Sequence, residues 1–290
     1  MRFVSFTRPG QSGTAAGVLE GDRIRPFRTP ATLAEFIVLE PAQRAKRDFG
    51  EPFAASQAKL VAPLYPHKNV FCVGRNYLAH AEEGARARGQ DLKLPNVPTF
   101  FTKAPTAISG PDETLDLDPT ISSEYDWEAE LAVVIGTRCR DVAEAEALDV
   151  IFGYMCLNDV TARDLQKAHA QWFKGKTLDH TCPTGPWIVE AADIRDPGKL
   201  EIALTVNGIE KQHSNTSMMI FSVQKIIASL SRGLTLEPGD IIATGTPEGV
   251  GFARTPAEFL RDGDVMEITI QDVGVLRNAV RLRAPVVAAR

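Results

Sequence analysis

The sequence predicts a mainly β, α+β fold. Three observations carry this reading: strand-like segments outnumber helical ones, the two do not alternate regularly, and turn formers are plentiful, with 22 glycines and 19 prolines in 290 residues. Regular alternation would have pointed to a parallel, doubly wound sheet. With 44% hydrophobic and 24% charged residues, the chain can bury a sizeable core.

Residues 1–65 read as a small N-terminal domain and 66–290 as the main domain. In the first, GVL and RIRPF flank a hairpin turn at Glu20-Gly21-Asp22, and TLAEFIVLE and PAQRAKRDF are helical stretches. Pro63 and Pro66 in APLYPH break regular structure before NVFCVG, an apolar buried strand. EAELAVVIG and IFGYMCLN read as further strands, and LEIALTV alternates with period two before the Asn207-Gly208 hairpin turn. TLEPGDIIATG and DVMEITI continue the pattern. Two helices stand out: TARDLQKAHA with Thr161 as N-cap, and FSVQKIIASL, where Val223, Ile226, Ile227 and Leu230 share one face.

A formal net charge of -5 offers no broad basic field for nucleic acid or an anionic membrane, so an anionic substrate needs a local positive site. That favours a small-molecule pocket. MRFVSFTRPG lacks the pattern of a secretory signal and no apolar run approaches the length of a membrane helix, from which a cytoplasmic location is expected. The four cysteines, Cys72, Cys139, Cys156 and Cys182, are scattered without a CxxC pair and read as reduced thiols.

The informative residues are acids standing where apolar side chains are the rule. Glu128 and Glu130 lie two apart at the edge of DWEAELAVVI, so on a strand they project from one face. Two adjacent carboxylates beside so apolar a segment are costly unless a cation or hydrogen-bond donors compensate them, and hard oxygen ligands select Mg2+, Mn2+ or Ca2+. The alternative is a solvated strand face. Asp159 ends the apolar IFGYMCLN run and could complete a ligand set, or belong to the following helix cap. His80 and Glu83 have the helical spacing that lets a carboxylate orient an imidazole as general base, although such a pair is also common surface decoration. Lys176 could stabilise negative charge, with Lys174 an equal rival. In TGTPEGVG the glycines bring backbone amides close to a ligand and Thr246 adds a hydroxyl, unless the segment is only a tight turn.

Together and in order, GRNY with His80 and Glu83, DWEAELAVVIG, NDVTARDLQ, GKTLDHTCPTGPW and TLEPGDIIATGTPEGVG resemble the fumarylacetoacetate hydrolase superfamily from about Asn69 to Leu282. The resemblance implies a mixed β-sandwich roll, a homodimer, and a Mg2+ site (or Mn2+, with Ca2+ possible) built by Glu128, Glu130 and Asp159. It implies catalytic roles for His80, Glu83 and Lys176, with the first two on a lid, and substrate contacts from Arg75, Asn76, Gln171 and Thr246. The activity it implies is hydrolysis of a C–C bond in an acylpyruvate-type 2,4-dioxo acid, as in the breakdown of aromatic compounds. A small 2-oxo acid or diacid would be the substrate. Isomerisation of a 5-carboxymethyl-2-hydroxymuconate-like compound and oxaloacetate decarboxylation are the alternatives on the same site, and a non-catalytic metal- or ligand-binding protein is a remote one.

Overall fold

Two strands buried along their whole length, Ala129–Ile135 and Ile151–Asn158, pair antiparallel at the centre of the molecule. The computed structural model describes residues 1–10 and 12–283. Around that pair runs a 13-stranded sheet. Its main path continues on one side through Cys182–Glu190, Arg2–Thr7, Ala15–Glu20 and Arg23–Thr29, and on the other through Ile241–Ala243, Val70–Gly74 and Thr99–Lys103. A second sheet of five strands has the order Leu115–Leu117, Gly274–Leu282, Val265–Ile270, Glu201–Val206 and Ile209–Asn215.

Period-two alternation explains how both faces of the central strands are used. Leu131, Val133 and Ile135 point into one core with Ile202, Leu204, Met266, Ile268 and Leu276 of the smaller sheet, so the two sheets pack face to face as a sandwich. Ala132 and Val134 point the other way, into a core shared with Phe3, Phe27, Phe36 and Ile37. Glu130 falls on this second face by the same alternation. The helix Val223–Ser231 caps the first core with Val223, Ile226, Ile227 and Leu230, and its N-cap Ser222 accepts the Lys225 N–H, as the 3.6-residue spacing predicts.

The first 65 residues join the rest through sheet register and aromatic packing. Arg2 and Phe3 pair with Val189 and Ile188, and the Phe3 ring lies 4.8 Å from that of Phe152. Both hairpins form where their turn residues stand, with Gly21 at φ +59° and Asn207 and Gly208 at φ +54° and +75°. Thr161 departs from expectation. It sits in a short strand paired with Asp126 and its hydroxyl donates to the Asp159 carbonyl, so the following helix, Arg163–Ala168, starts one residue later than expected, from Ala162 with no side-chain cap.

Candidate active site

The site lies where the central strand pair ends. Asp159 N donates to the Glu128 carbonyl at 2.9 Å, Glu128 N donates to the Asn158 side chain at 3.0 Å, and Glu130 pairs with Leu157 across the ladder. Backbone register therefore converges Glu128, Glu130 and Asp159, whose carboxylate oxygens come within 4.8 Å of one another while all three residues are buried. Isolated, three such charges would not stay ionised.

Cations arranged around the cluster offset part of that cost. Lys176 Nζ donates to Glu128 Oε2 and to Asp159 Oδ2, each at 2.7 Å. Lys103 Nζ donates to Asp159 Oδ1 at 2.8 Å and to the Val160 carbonyl at 3.1 Å. The Arg163 guanidinium bridges Asp126 Oδ2 at 2.8 Å and Glu128 Oε1 at 2.7 Å. Burial alone would raise the Glu128 carboxyl, but Lys176 and Arg163 outweigh it and hold it at about 2. Burial would lower the Lys176 ammonium, yet Asp159 and Glu128 prevail and keep it charged. Glu130 differs: it has no ion pair among the described residues and accepts one backbone N–H, from Gly245 at 2.7 Å. Burial first, then the charges of Asp159 and Glu128, pushes its carboxyl well above the ordinary range.

That imbalance is the observation that fits a divalent cation. An oxygen-only set of three converging carboxylates, one lacking a cationic partner, matches the chemistry of Mg2+ or Mn2+ better than that of a softer metal.

Beside the cluster opens a cavity of about 850 Å3 whose wall includes Glu128, Glu130, Lys176, His80, Arg75, Arg163 and Thr246. His80 and Glu83 stand on the helix Leu78–Ala87, with His80 Nδ1 2.9 Å from Glu83 Oε1. Glu83 Oε2 in turn accepts the Gly249 N–H at 2.9 Å, so the orienting carboxylate is itself oriented. Among the described residues, Nε2 of the imidazole has no hydrogen-bond partner.

Some expected contacts lie elsewhere. Asn76 is fully buried, and its amide is spent on the Phe221 N–H and on the Phe221 and Thr244 carbonyls, so it fixes the backbone beneath the site. Gln171 is exposed and outside the cavity wall; the neighbouring Trp172 and, on the preceding helix, Gln166 line it instead. Lys174 is exposed and absent from the cavity wall, whereas Lys176 is buried and lines it. The Gly-rich loop offers its amides to the protein's own acids: Gly245 to Glu130, Gly249 to Glu83, and Gly251 and Phe252 to Asp126. Thr246 lines the cavity while accepting from Gln212 at 2.8 Å. Sequence reasoning passed over Lys103 and Arg163. Lys103 ends a half-buried strand, Thr99–Lys103, in which it is the one fully buried residue, and the mixed run PTFFTK carries no signal that sets this lysine apart.

With this geometry established, similarity to known proteins is decisive for the family. Residues 69–281 match the model of the fumarylacetoacetate (FAA) hydrolase C-terminal family, and the chain belongs to that family of enzymes. Oxaloacetate tautomerase YisK of Bacillus subtilis is 45% identical over 229 residues, 79% of this chain and 75% of that one. Oxaloacetate tautomerase FAHD2A, a mitochondrial protein of Bos taurus, is 38% identical over 97% of this chain and 91% of its own. The structure of fumarylacetoacetate hydrolase EaFAH from Exiguobacterium antarcticum matches with a TM-score of 0.84 at 38% identity, covering 98% of this chain and 100% of that chain.

Proposed function

We propose that this chain is a divalent-metal-dependent tautomerase of a small 2-oxo diacid of the oxaloacetate type. The observation that carries the reading is that two of three converging carboxylates, Glu128 and Glu130, line one cavity with a charged lysine and an oriented histidine while Asp159 stands buried behind them, in a chain similar along most of its length to oxaloacetate tautomerases. This displaces acylpyruvate hydrolysis, the leading expectation from sequence, in favour of proton transfer without bond cleavage.

Glu128, Glu130 and Asp159 would hold the metal, which when bound supplies a Lewis acid for the 2-oxo carboxylate unit. The remaining work falls to side chains. Nε2 of His80, oriented through Glu83, would take the proton from the carbon next to the keto group, the keto oxygen would gain a proton to complete the enol, and both transfers would run backwards in the reverse direction. Lys176, kept charged by its two carboxylate partners, stabilises negative charge developing on the keto oxygen. Among the described residues, two buried donors on arginines that line the cavity have no hydrogen-bond partner, Arg163 Nη2 and Arg75 Nε, and these suit a substrate carboxylate. Phe252 backs the first, with the Arg163 guanidinium 4.5 Å above its ring.

The test is keto–enol exchange of oxaloacetate followed spectroscopically with Mg2+ and with Mn2+, beside cleavage of acetylpyruvate and fumarylpyruvate. His80→Ala should lower the exchange kcat by about 10²–10⁴-fold and change KM less. Acylpyruvate cleavage without any acceleration of exchange would return the assignment to a hydrolase.

A further inference from the structure

We propose that Lys103, which does not reach the cavity, is a positioning residue that sets which divalent ion the site prefers, by confining Asp159 to one ligand oxygen. The inference rests on the reading of Glu128, Glu130 and Asp159 as a metal site. Asp159 is fully buried and both of its oxygens are engaged, but by different lysines from different sides. Lys176, on the cavity wall, takes Oδ2 and shares itself with Glu128. Lys103, absent from that wall and with no exposed surface, takes Oδ1 and is held in place by the Val160 carbonyl.

The two lysines are not equivalent. Lys176 borders open volume into which its ammonium can move when a cation claims Oδ2. Lys103 ends the strand Thr99–Lys103 and its ammonium has no exposed surface, so giving up Oδ1 would leave an unpaired charge in the interior. Lys103 thus occupies one lone pair of Oδ1 and fixes the plane of the Asp159 carboxylate, which leaves Oδ2 the better placed oxygen for a metal and disfavours coordination through both. Mg2+ requires near-ideal six-coordination from few carboxylate oxygens plus water, whereas Ca2+ accepts six to eight oxygens and readily takes a carboxylate through both. A permanently occupied Oδ1 thus favours the smaller ion. Removing the lysine should let Asp159 bind through both oxygens and shift the preference toward Ca2+.

The experiment is calorimetric titration of the metal-stripped full chain with Mg2+ and, separately, with Ca2+, without substrate, for wild type, Lys103→Met and Lys103→Gln. Thermal melting in the absence of metal accompanies each titration to show that the variant is folded. The wild type should prefer Mg2+. Lys103→Met should lose Mg2+ affinity by about 10–100-fold, the usual effect of removing a group that orients a ligand, while Ca2+ affinity holds or rises. Lys103→Gln, which removes the charge but keeps a donor, should fall between the two and carries the test if the methionine variant does not fold. Parallel losses for both ions, or an unchanged ratio in a folded variant, overturn the role given to Lys103. Failure of the wild type to bind either ion overturns the metal reading itself.

Discussion

Glu130 is the residue on which the site turns. Its carboxyl is raised by burial, then by Asp159 and Glu128, above the ordinary glutamate value of 4.5, so the folded, metal-free protein holds a proton there that the unfolded chain gives up. The associated stability is full below about pH 4.5 and is lost as pH rises through the raised folded value. Glu128 has the opposite sign: its contribution is present above 4.5 and is lost as pH falls toward about 2. Thermal melts of metal-stripped protein across pH should therefore show wild type losing stability relative to Glu130→Gln as the solution becomes less acidic. Added Mg2+ should cancel that loss in the wild type alone. Glu130→Gln should also bind Mg2+ much more weakly by calorimetry, since a neutral amide supplies neither the charge nor the second acceptor oxygen.

At the scale of an element, the loop from Thr244 to Phe252 does more than turn the chain. Its amides hold Glu130, Glu83 and Asp126, so one segment sets a candidate ligand, the orienter of the base and the partner of Arg163. Gly245 is, with Gly249 and Gly251, one of the points where this depends on the absence of a side chain: it adopts φ +104°, and a Cβ there would stand 2.7 Å from that of Asn76. Gly245→Ala should displace the N–H from Glu130. The expected result is weaker Mg2+ binding together with a drop in melting temperature, while circular dichroism reports the same sheet content. Unchanged metal affinity would mean that the loop adapts and that this amide does not position the ligand.

At the scale of the molecule, the boundary expected near residue 65 meets a continuous core. Phe3, Phe27 and Phe36 pack in the same cluster as Ala132, Met155 and Ile188, and the strand Arg2–Thr7 pairs with Cys182–Glu190. Removing residues 1–65 would bare that face of the central strands, at roughly 25 cal/mol per Å2 of apolar surface returned to water. Urea unfolding followed by Trp fluorescence and by far-UV circular dichroism should give one coincident transition. Two separated transitions would mark an independent N-terminal unit.

The sequence by itself determined the strand-rich class, both hairpins, the buried face of the helix Val223–Ser231 and the acids at the ends of apolar runs. These are local or periodic signals: turn residues need particular φ values, helix and strand periods are printed in the spacing of apolar side chains, and a charge closing a buried strand stands out against its neighbours. Only the tertiary structure decided which side chains share a charge. Lys103 and Asp159 lie 56 positions apart, and the guanidinium of Arg163 reaches Asp126 across 37. The same limit governs Asn76 and Gln171, whose spacing carried no sign that one amide is consumed by backbone 145 and 168 positions away while the other faces solvent. Partnership in a buried cluster is set by strand register and sheet closure, which no local pattern encodes.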